Sequence, residues 1–256
     1  QSMDRSLYLY CVAAGTRDET LNIKGIGGEP VFTVTSNGIS AIVQECDNGF
    51  FSSEDPKLIS EWILAHQAVV DLAWARYETV VPFGFDTIVI AKDGKCARDN
   101  LLDWLEKERD SLKGKIERFR GKAEYGVQIS WDPAVSAPRV TRNDAEVQKL
   151  EEEIRSKSSG TAYLLGQKLE MLLCQRMEQA ADVYFKEFFQ KIRACVEDVQ
   201  VGKVKKEEPP RQMLANLSCL LPKEDVPKLG EMLDGIGKIE GFFVRFTGPW
   251  PSYSFV

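Results

Sequence analysis

The chain ends in Thr247-Gly248-Pro249-Trp250-Pro251-Ser252-Tyr253-Ser254-Phe255-Val256, the stretch that most restricts how it can fold. Two prolines around a tryptophan fix the backbone near polyproline geometry and remove two amide donors, so this stretch cannot continue a helix or occupy a central strand. Three aromatic side chains also favour burial. We expect an aromatic tail over 247–256 that docks on its own domain, with Trp250 as its deepest contact. The alternative is a tail that binds a partner through Trp250, Tyr253 and Phe255.

The composition is that of a globular protein with room for two modest domains. The chain has 256 residues, of which 43% are hydrophobic, and a formal net charge of −6. An acidic balance without a basic, aromatic-rich patch argues against nucleic acid as a partner. No apolar run approaches the roughly 18 residues that span a bilayer, and the N-terminus lacks a signal-peptide pattern. We expect a cytoplasmic protein that binds neither nucleic acid nor a lipid membrane.

The first 86 residues predict an α+β domain. Apolar alternation predicts a strand over 7–13. Asn37-Gly38 supplies the positive φ angles of a tight turn, so 31–35 and 39–44 form a hairpin. A helix begins at Pro56 and ends by Thr79, with an apolar stripe at three- and four-residue spacing, and a short strand follows at 80–83.

Residues 87–256 predict a second domain, a modified ferredoxin-like fold with the split βαβ order. Its expected elements are strands at 87–91, 124–131, 213–221 and 241–247, with helices at 97–119 and 223–233. A long helical insertion over about 144–200 interrupts this order, and its apolar stripe includes Leu169, Tyr184 and Phe188. We expect an arm that is partly packed on the sheet and partly protruding; the alternative is a helix pair buried entirely against its own domain.

The sequence argues against catalytic, cofactor or metal chemistry. His66 is the only histidine, and it borders the apolar stripe of its helix, where a structural role is expected. The six cysteines contain no C-x-x-C pair and are expected to be reduced core thiols. The acidic residues alternate with lysine and arginine, which is typical of solvated helix surfaces.

Several stretches, in order, resemble the gas vesicle protein F and L family (GvpF/GvpL). Besides the tail and Gly38-Ile39-Ser40-Ala41-Ile42-Val43, these are Leu7-Tyr8-Leu9-Tyr10, Val81-Pro82-Phe83-Gly84-Phe85-Asp86-Thr87, Glu124-Tyr125-Gly126-Val127-Gln128-Ile129 and Gly160-Thr161-Ala162-Tyr163-Leu164. The second departs from the family pattern V-L-P-x-R-F-G-T, because Gly84 and Asp86 replace its arginine and glycine. This chain therefore lacks the arginine and the glycine of that pattern.

The resemblance implies a non-enzymatic accessory or structural protein of gas vesicle formation. Such a protein would bind the hydrophobic major shell subunit and assist its assembly, as a chaperone-like factor or a minor shell component, with other accessory proteins as further partners. We expect it to be associated with the gas vesicle. The candidate partner-binding residues are Trp250, Tyr253, Phe255, Leu169, Tyr184 and Phe188. The alternative is a small-molecule-binding or enzymatic α+β protein that uses the cleft between the domains, where Phe83 to Asp86 would face His66 or Glu124.

Overall fold

The computed structural model describes residues 5–47 and 51–256. Over these residues the protein is a mixed α/β structure with seven α-helices and two antiparallel sheets. Its contacts divide it into two compact units: the first extends to Glu124 and includes Pro249–Val256, and the second is Tyr125–Gly248.

The sheet of the first unit is ordered β2-β3-β4-β1-β5, and β6 also pairs with β1. The predicted hairpin is confirmed, since Asn37 and Gly38 have φ angles of 48° and 85° and Ser36 pairs with Ile39. The sequence analysis did not find β2. The strands are β1 (Ser6–Ala14), β2 (Thr20–Lys24), β3 (Pro30–Ser36), β4 (Ile39–Cys46), β5 (Val80–Pro82) and β6 (Ile88–Val89).

Helix α1 (Pro56–Tyr77) covers this sheet and confirms the predicted first helix. The Asp55 carboxylate caps it by accepting a hydrogen bond from the Lys57 amide, and Glu78 in the left-handed region ends it. The prediction of one helix over 97–119 is wrong, because the chain forms α2 (Ala97–Lys107) and α3 (Arg109–Phe119). The break at Glu108 lets α2 pack on β3 and β6 while α3 packs on β5.

The compact units of the structure divide the chain at a different place from the domain boundary predicted at residue 86, which stays a prediction. The predicted strand at 87–91 is the short β6, which pairs with β1 of the first sheet through Leu7↔Val89 and Tyr8↔Ile88. It therefore belongs to the first unit, and so do α2 and α3. The units divide at Glu124/Tyr125, and the tail from Pro249 onward returns to the first unit.

The sheet of the second unit has the order β10-β7-β9-β8, with β10 at one end. Strands β8 and β9 form an antiparallel pair in which Asp198 lies opposite Leu220. The elements are β7 (Lys122–Trp131), α4 (Pro133–Thr141), α5 (Ala145–Ser156), α6 (Ser159–Arg193), β8 (Asp198–Val201), β9 (Gln212–Pro222), α7 (Val226–Gly237) and β10 (Phe242–Trp250).

The helical insertion differs in its limits from the predicted 144–200. It begins with α4 at Pro133, and the long helix α6 ends at Arg193, after which 198–201 form the strand β8. The β-branched Val199 and Val201 favour a strand there, and pairing with β9 fixes it. Part of the insertion is core, because Phe188 and Ile192 are buried. Among the described residues, no helix is long and apolar enough to cross a membrane.

Candidate functional site

The tail is anchored in the first unit by polar contacts. The carboxylate of Glu124 accepts hydrogen bonds from the backbone amide of Ser254 at 2.8 Å and from its hydroxyl at 2.6 Å. The Tyr253 hydroxyl donates to the side-chain oxygen of Gln67 at 3.3 Å. Phe255 is only 5% exposed, and the Arg118 guanidinium lies 6.0 Å from its ring centroid. The tail is thus docked on its own unit.

Trp250 does not make the deepest contact of the tail, contrary to the sequence prediction. Its side chain is 43% exposed, whereas Phe255 is buried. The reason is geometric, because Trp250 is the last residue of β10, an end strand, and burial of the tail begins only at Pro251 and Ser252. Pro249 is tolerated in that strand because an end strand leaves one row of backbone groups unpaired.

A buried aromatic cluster surrounds the single histidine. His66 Nδ1 lies 2.9 Å from the Tyr8 hydroxyl, and that hydroxyl accepts a hydrogen bond from the Asp86 amide at 2.9 Å. The Tyr8 hydroxyl therefore joins the His66 ring to the backbone at Asp86. Burial lowers the pKa of His66 from 6.5 to about 4, against the smaller raising effect of the Phe83 carbonyl. The rings of Tyr10, Phe85 and Tyr253 pack around it.

These contacts bear on the alternative function proposed from sequence. Asp86 does meet His66 through Tyr8, but all three residues and Glu124 belong to the first unit. His66 is 4% exposed, and its Nδ1 is hydrogen-bonded to the Tyr8 hydroxyl. The Glu124 carboxylate is hydrogen-bonded to Ser254 of the tail. The arrangement suits packing of the tail and helix α1 on the sheet. Within 5–47 and 51–256, no group of three histidine, cysteine or acidic residues is placed to hold a metal ion.

The other predicted partner-binding residues are largely packed. Phe188 is buried, and Tyr184 stacks on it at 5.7 Å and contacts Trp131 and Phe242. Leu169 packs with Val147, Leu150 and Leu172 between α5 and α6. Arg176 joins these two helices through Asp144 at 2.5 Å and Glu146 at 3.0 Å. Of the six candidates, only Trp250 presents a largely exposed side chain.

Two elements of the second unit, β10 and α6, carry several exposed apolar side chains outside the predicted set. On β10 they are Phe243 and Phe246, each 38% exposed. The Arg211 guanidinium lies over the Phe243 ring at 3.8 Å, and Phe246 stacks on Tyr125 at 5.5 Å. On α6 they are Tyr163, Leu164, Met171 and Val183. The run Phe242-Phe243-Val244-Arg245-Phe246 could have been noticed from sequence, but its place at the end of a sheet could not.

A groove of about 580 Å³ runs between β10 and α7, and we name it the β10 groove. Its apolar walls come from the strand and from one face of the helix, and three charged side chains lie around it. The lining residues are Arg211, Gly230, Leu233, Asp234, Gly237, Lys238, Phe242, Phe243, Val244 and Phe246. The groove and the exposed residues of β10 form the candidate site for binding another protein.

Comparison with known proteins identifies the family of this chain. The model of the family "Gas vesicle synthesis protein GvpL/GvpF" matches residues 6–256. Gas vesicle proteins L1 and L2 of Halobacterium salinarum are 28% and 30% identical to this chain, over 100% and 97% of it and 92% and 90% of their own lengths. Gas vesicle protein F of Dolichospermum flosaquae is 23% identical over 97% of both chains.

Solved structures share the fold. The crystal structure of the gas vesicle protein GvpF from Anabaena sp. PCC7120 superposes with a TM-score of 0.72 at 18% identity, over 98% of this chain and 97% of the other. That of GvpF from Microcystis aeruginosa gives a TM-score of 0.66 at 17% identity, over 98% of both chains.

Proposed function

Because the chain belongs to the gas vesicle synthesis protein GvpL/GvpF family, whose role is in gas vesicle formation, we propose that it acts there by binding the hydrophobic major shell subunit. In this proposal it keeps the subunit from associating uncontrollably and assists its assembly, as a chaperone-like factor or a minor shell component. It works in the cytoplasm in association with the gas vesicle. Other accessory proteins of the vesicle are further partners.

The observation on which this proposal rests is the set of three exposed aromatic side chains on an end strand. Phe243, Phe246 and Trp250 are all at least 38% exposed on β10. End strands of natural sheets are usually protected, because free backbone groups next to apolar side chains promote association. An exposed strand of this kind can bind the apolar surface of an aggregation-prone subunit.

We propose that the action is non-enzymatic. The only histidine is neutral, buried and hydrogen-bonded to Tyr8, so it is poorly placed to exchange protons with a substrate. The relatives are named as gas vesicle proteins, which is consistent with a binding role. No specific observation favours the small-molecule alternative.

For the second unit we propose a modified ferredoxin-like arrangement, with different elements from those predicted. Its strands follow in the chain as β7, β8, β9 and β10, with α4 to α6 after the first and α7 after the third. The sheet order β10-β7-β9-β8 supports this proposal. In this arrangement the helical insertion is an enlarged first crossover.

Co-expression with the major shell subunit tests the proposed function. An affinity-tagged chain is expected to keep the subunit in the soluble fraction and to co-purify with it. Replacing Phe243 and Trp250 together by serine is expected to reduce the recovered subunit. The matched control replaces Ile63 and Leu64 of α1, which are also exposed, and is expected to behave like the parent. Equal aggregation of the subunit with and without the chain would refute the proposal.

A further inference from the structure

We propose that the β10 groove binds an extended apolar segment with acidic side chains, which adds to the sheet as a strand beside β10. This proposal rests on the proposed function, because it specifies where and how a hydrophobic partner is held. It concerns only residues of the second unit.

Strand β10 offers the backbone for such pairing. It is nine residues long and stands at the end of the four-stranded sheet. A strand in that position has one row of amide and carbonyl groups that another strand can use. Binding by strand addition draws its affinity from these main-chain hydrogen bonds and its specificity from pockets for alternate side chains.

The groove supplies the pocket for those side chains. Leu233 and Val244 form apolar walls, and the two glycines Gly230 and Gly237 leave open space beside the helix. A methyl group built on Gly230 meets nothing within 4 Å, and one built on Gly237 meets only Val244, at 3.9 Å. The volume of about 580 Å³ is within the range of ligand-binding clefts.

The charges at the groove select the kind of segment. Arg211 and Lys238 line it and Arg245 is exposed on β10, whereas Asp234 is the only acidic residue of the lining. The ion pairs and side-chain hydrogen bonds of the described chain include none of these three cations. A local excess of positive charge on a protein of net charge −6 favours a partner with carboxylates next to its apolar side chains.

The experiment titrates the full chain into fluorescein-labelled eight-residue peptides and follows fluorescence anisotropy. The first peptide alternates valine and glutamate, the second alternates valine and lysine, and in the third two prolines interrupt the first. We expect the valine–glutamate peptide to bind at least tenfold more tightly than the other two. Backbone amides of β10 are expected to exchange hydrogen more slowly when that peptide is bound.

Two variants place the binding in the groove. Gly230→Leu fills the open space and is expected to weaken binding at least tenfold. Its matched control is Gly235→Leu on the same helix. A methyl group built on Gly235 also meets nothing within 4 Å, but Gly235 does not line the groove. Both replacements gain helix propensity, so neither is expected to lower the thermal midpoint. Arg211→Glu is expected to weaken binding, and Lys228→Glu, a charge reversal away from the groove, is not.

The outcomes separate this proposal from the proposed function. Failure of the valine–glutamate peptide to bind at about 1 mM, or equal binding by the Gly230→Leu and Gly235→Leu variants, would overturn the proposal for the groove. Co-purification of the shell subunit with the Gly230→Leu variant at the parent's level would overturn it too, while leaving the proposed function intact. Binding of the peptide without any co-purification of the subunit would support the groove and count against the proposed function.

Discussion

Glu124 holds Ser254 through two hydrogen bonds, at 2.8 Å to its amide and 2.6 Å to its hydroxyl, across 130 residues of sequence. Glu124 is buried, and both bonds are made to a carboxylate. Hydrogen bonds to charged groups contribute more than neutral ones, and loss of the acceptor leaves the donors unsatisfied. This pair closes the first unit, because it fixes the end of the chain to the start of β7.

Replacing Glu124 by alanine is expected to destabilise the protein by about 2–3 kcal/mol. Ser254 loses its two hydrogen bonds to the Glu124 carboxylate, so the tail is also expected to become sensitive to carboxypeptidase. Glu124→Gln retains an acceptor and should fall between the parent and the alanine variant. Thermal unfolding and timed digestion measure the two effects. An undigested tail in Glu124→Ala would show that the tail is held by its aromatic contacts alone.

Phe255→Ala is expected to cost about 3–5 kcal/mol, the usual range for a buried aromatic side chain. Trp250→Ala is expected to cost less than about 1 kcal/mol, because nearly half of that side chain is already in solvent. Denaturant unfolding of the two variants gives both values. This reverses the order expected from sequence, and a larger loss for Trp250→Ala would argue that the tail docks through the tryptophan.

His66 is expected to make the protein less stable in acid. Its folded-state pKa of about 4 lies below the unfolded value of 6.5, so between these values the unfolded state binds more protons. The contribution of His66 to the free energy of unfolding is complete above pH 6.5. As the pH falls toward 4 this contribution is lost, which lowers the free energy of unfolding by about 3 kcal/mol in total. The unfolding free energy of the parent should therefore drop more steeply than that of His66→Gln over this range. Parallel pH profiles would contradict this assignment.

Deleting 144–200 is expected to give insoluble protein. The deleted stretch contains the buried Phe188 and Ile192 and most of β8. By contrast, the double variant Tyr163→Glu with Met171→Glu changes two exposed positions of α6 and should stay soluble. Solubility and circular dichroism of both proteins provide the check. A soluble, folded deletion protein would mean that the insertion contributes little to the core.

Much of the first unit could be predicted because its signals are local. Asn37-Gly38 fixes its hairpin, and the start of α1 follows from the first-turn proline Pro56. The break at Glu108 could not be predicted, because the apolar spacing continues through it. The helix is divided because α2 and α3 pack on different strands of the sheet. The strand β6 was predicted, but its pairing with β1, which lies about 80 residues earlier, was not.

Some features of the candidate site could likewise be predicted from the sequence and others could not. Sequence identified the aromatic tail and the family resemblance, since both depend on residue types in order. Burial of Phe255, exposure of Trp250 and the groove between β10 and α7 required the structure. Backbone preferences act over a few residues and can be read from them. Strand order and burial depend on contacts between distant segments, such as Glu124 with Ser254, and only the folded chain determines which side chains those contacts cover and which they leave in solvent.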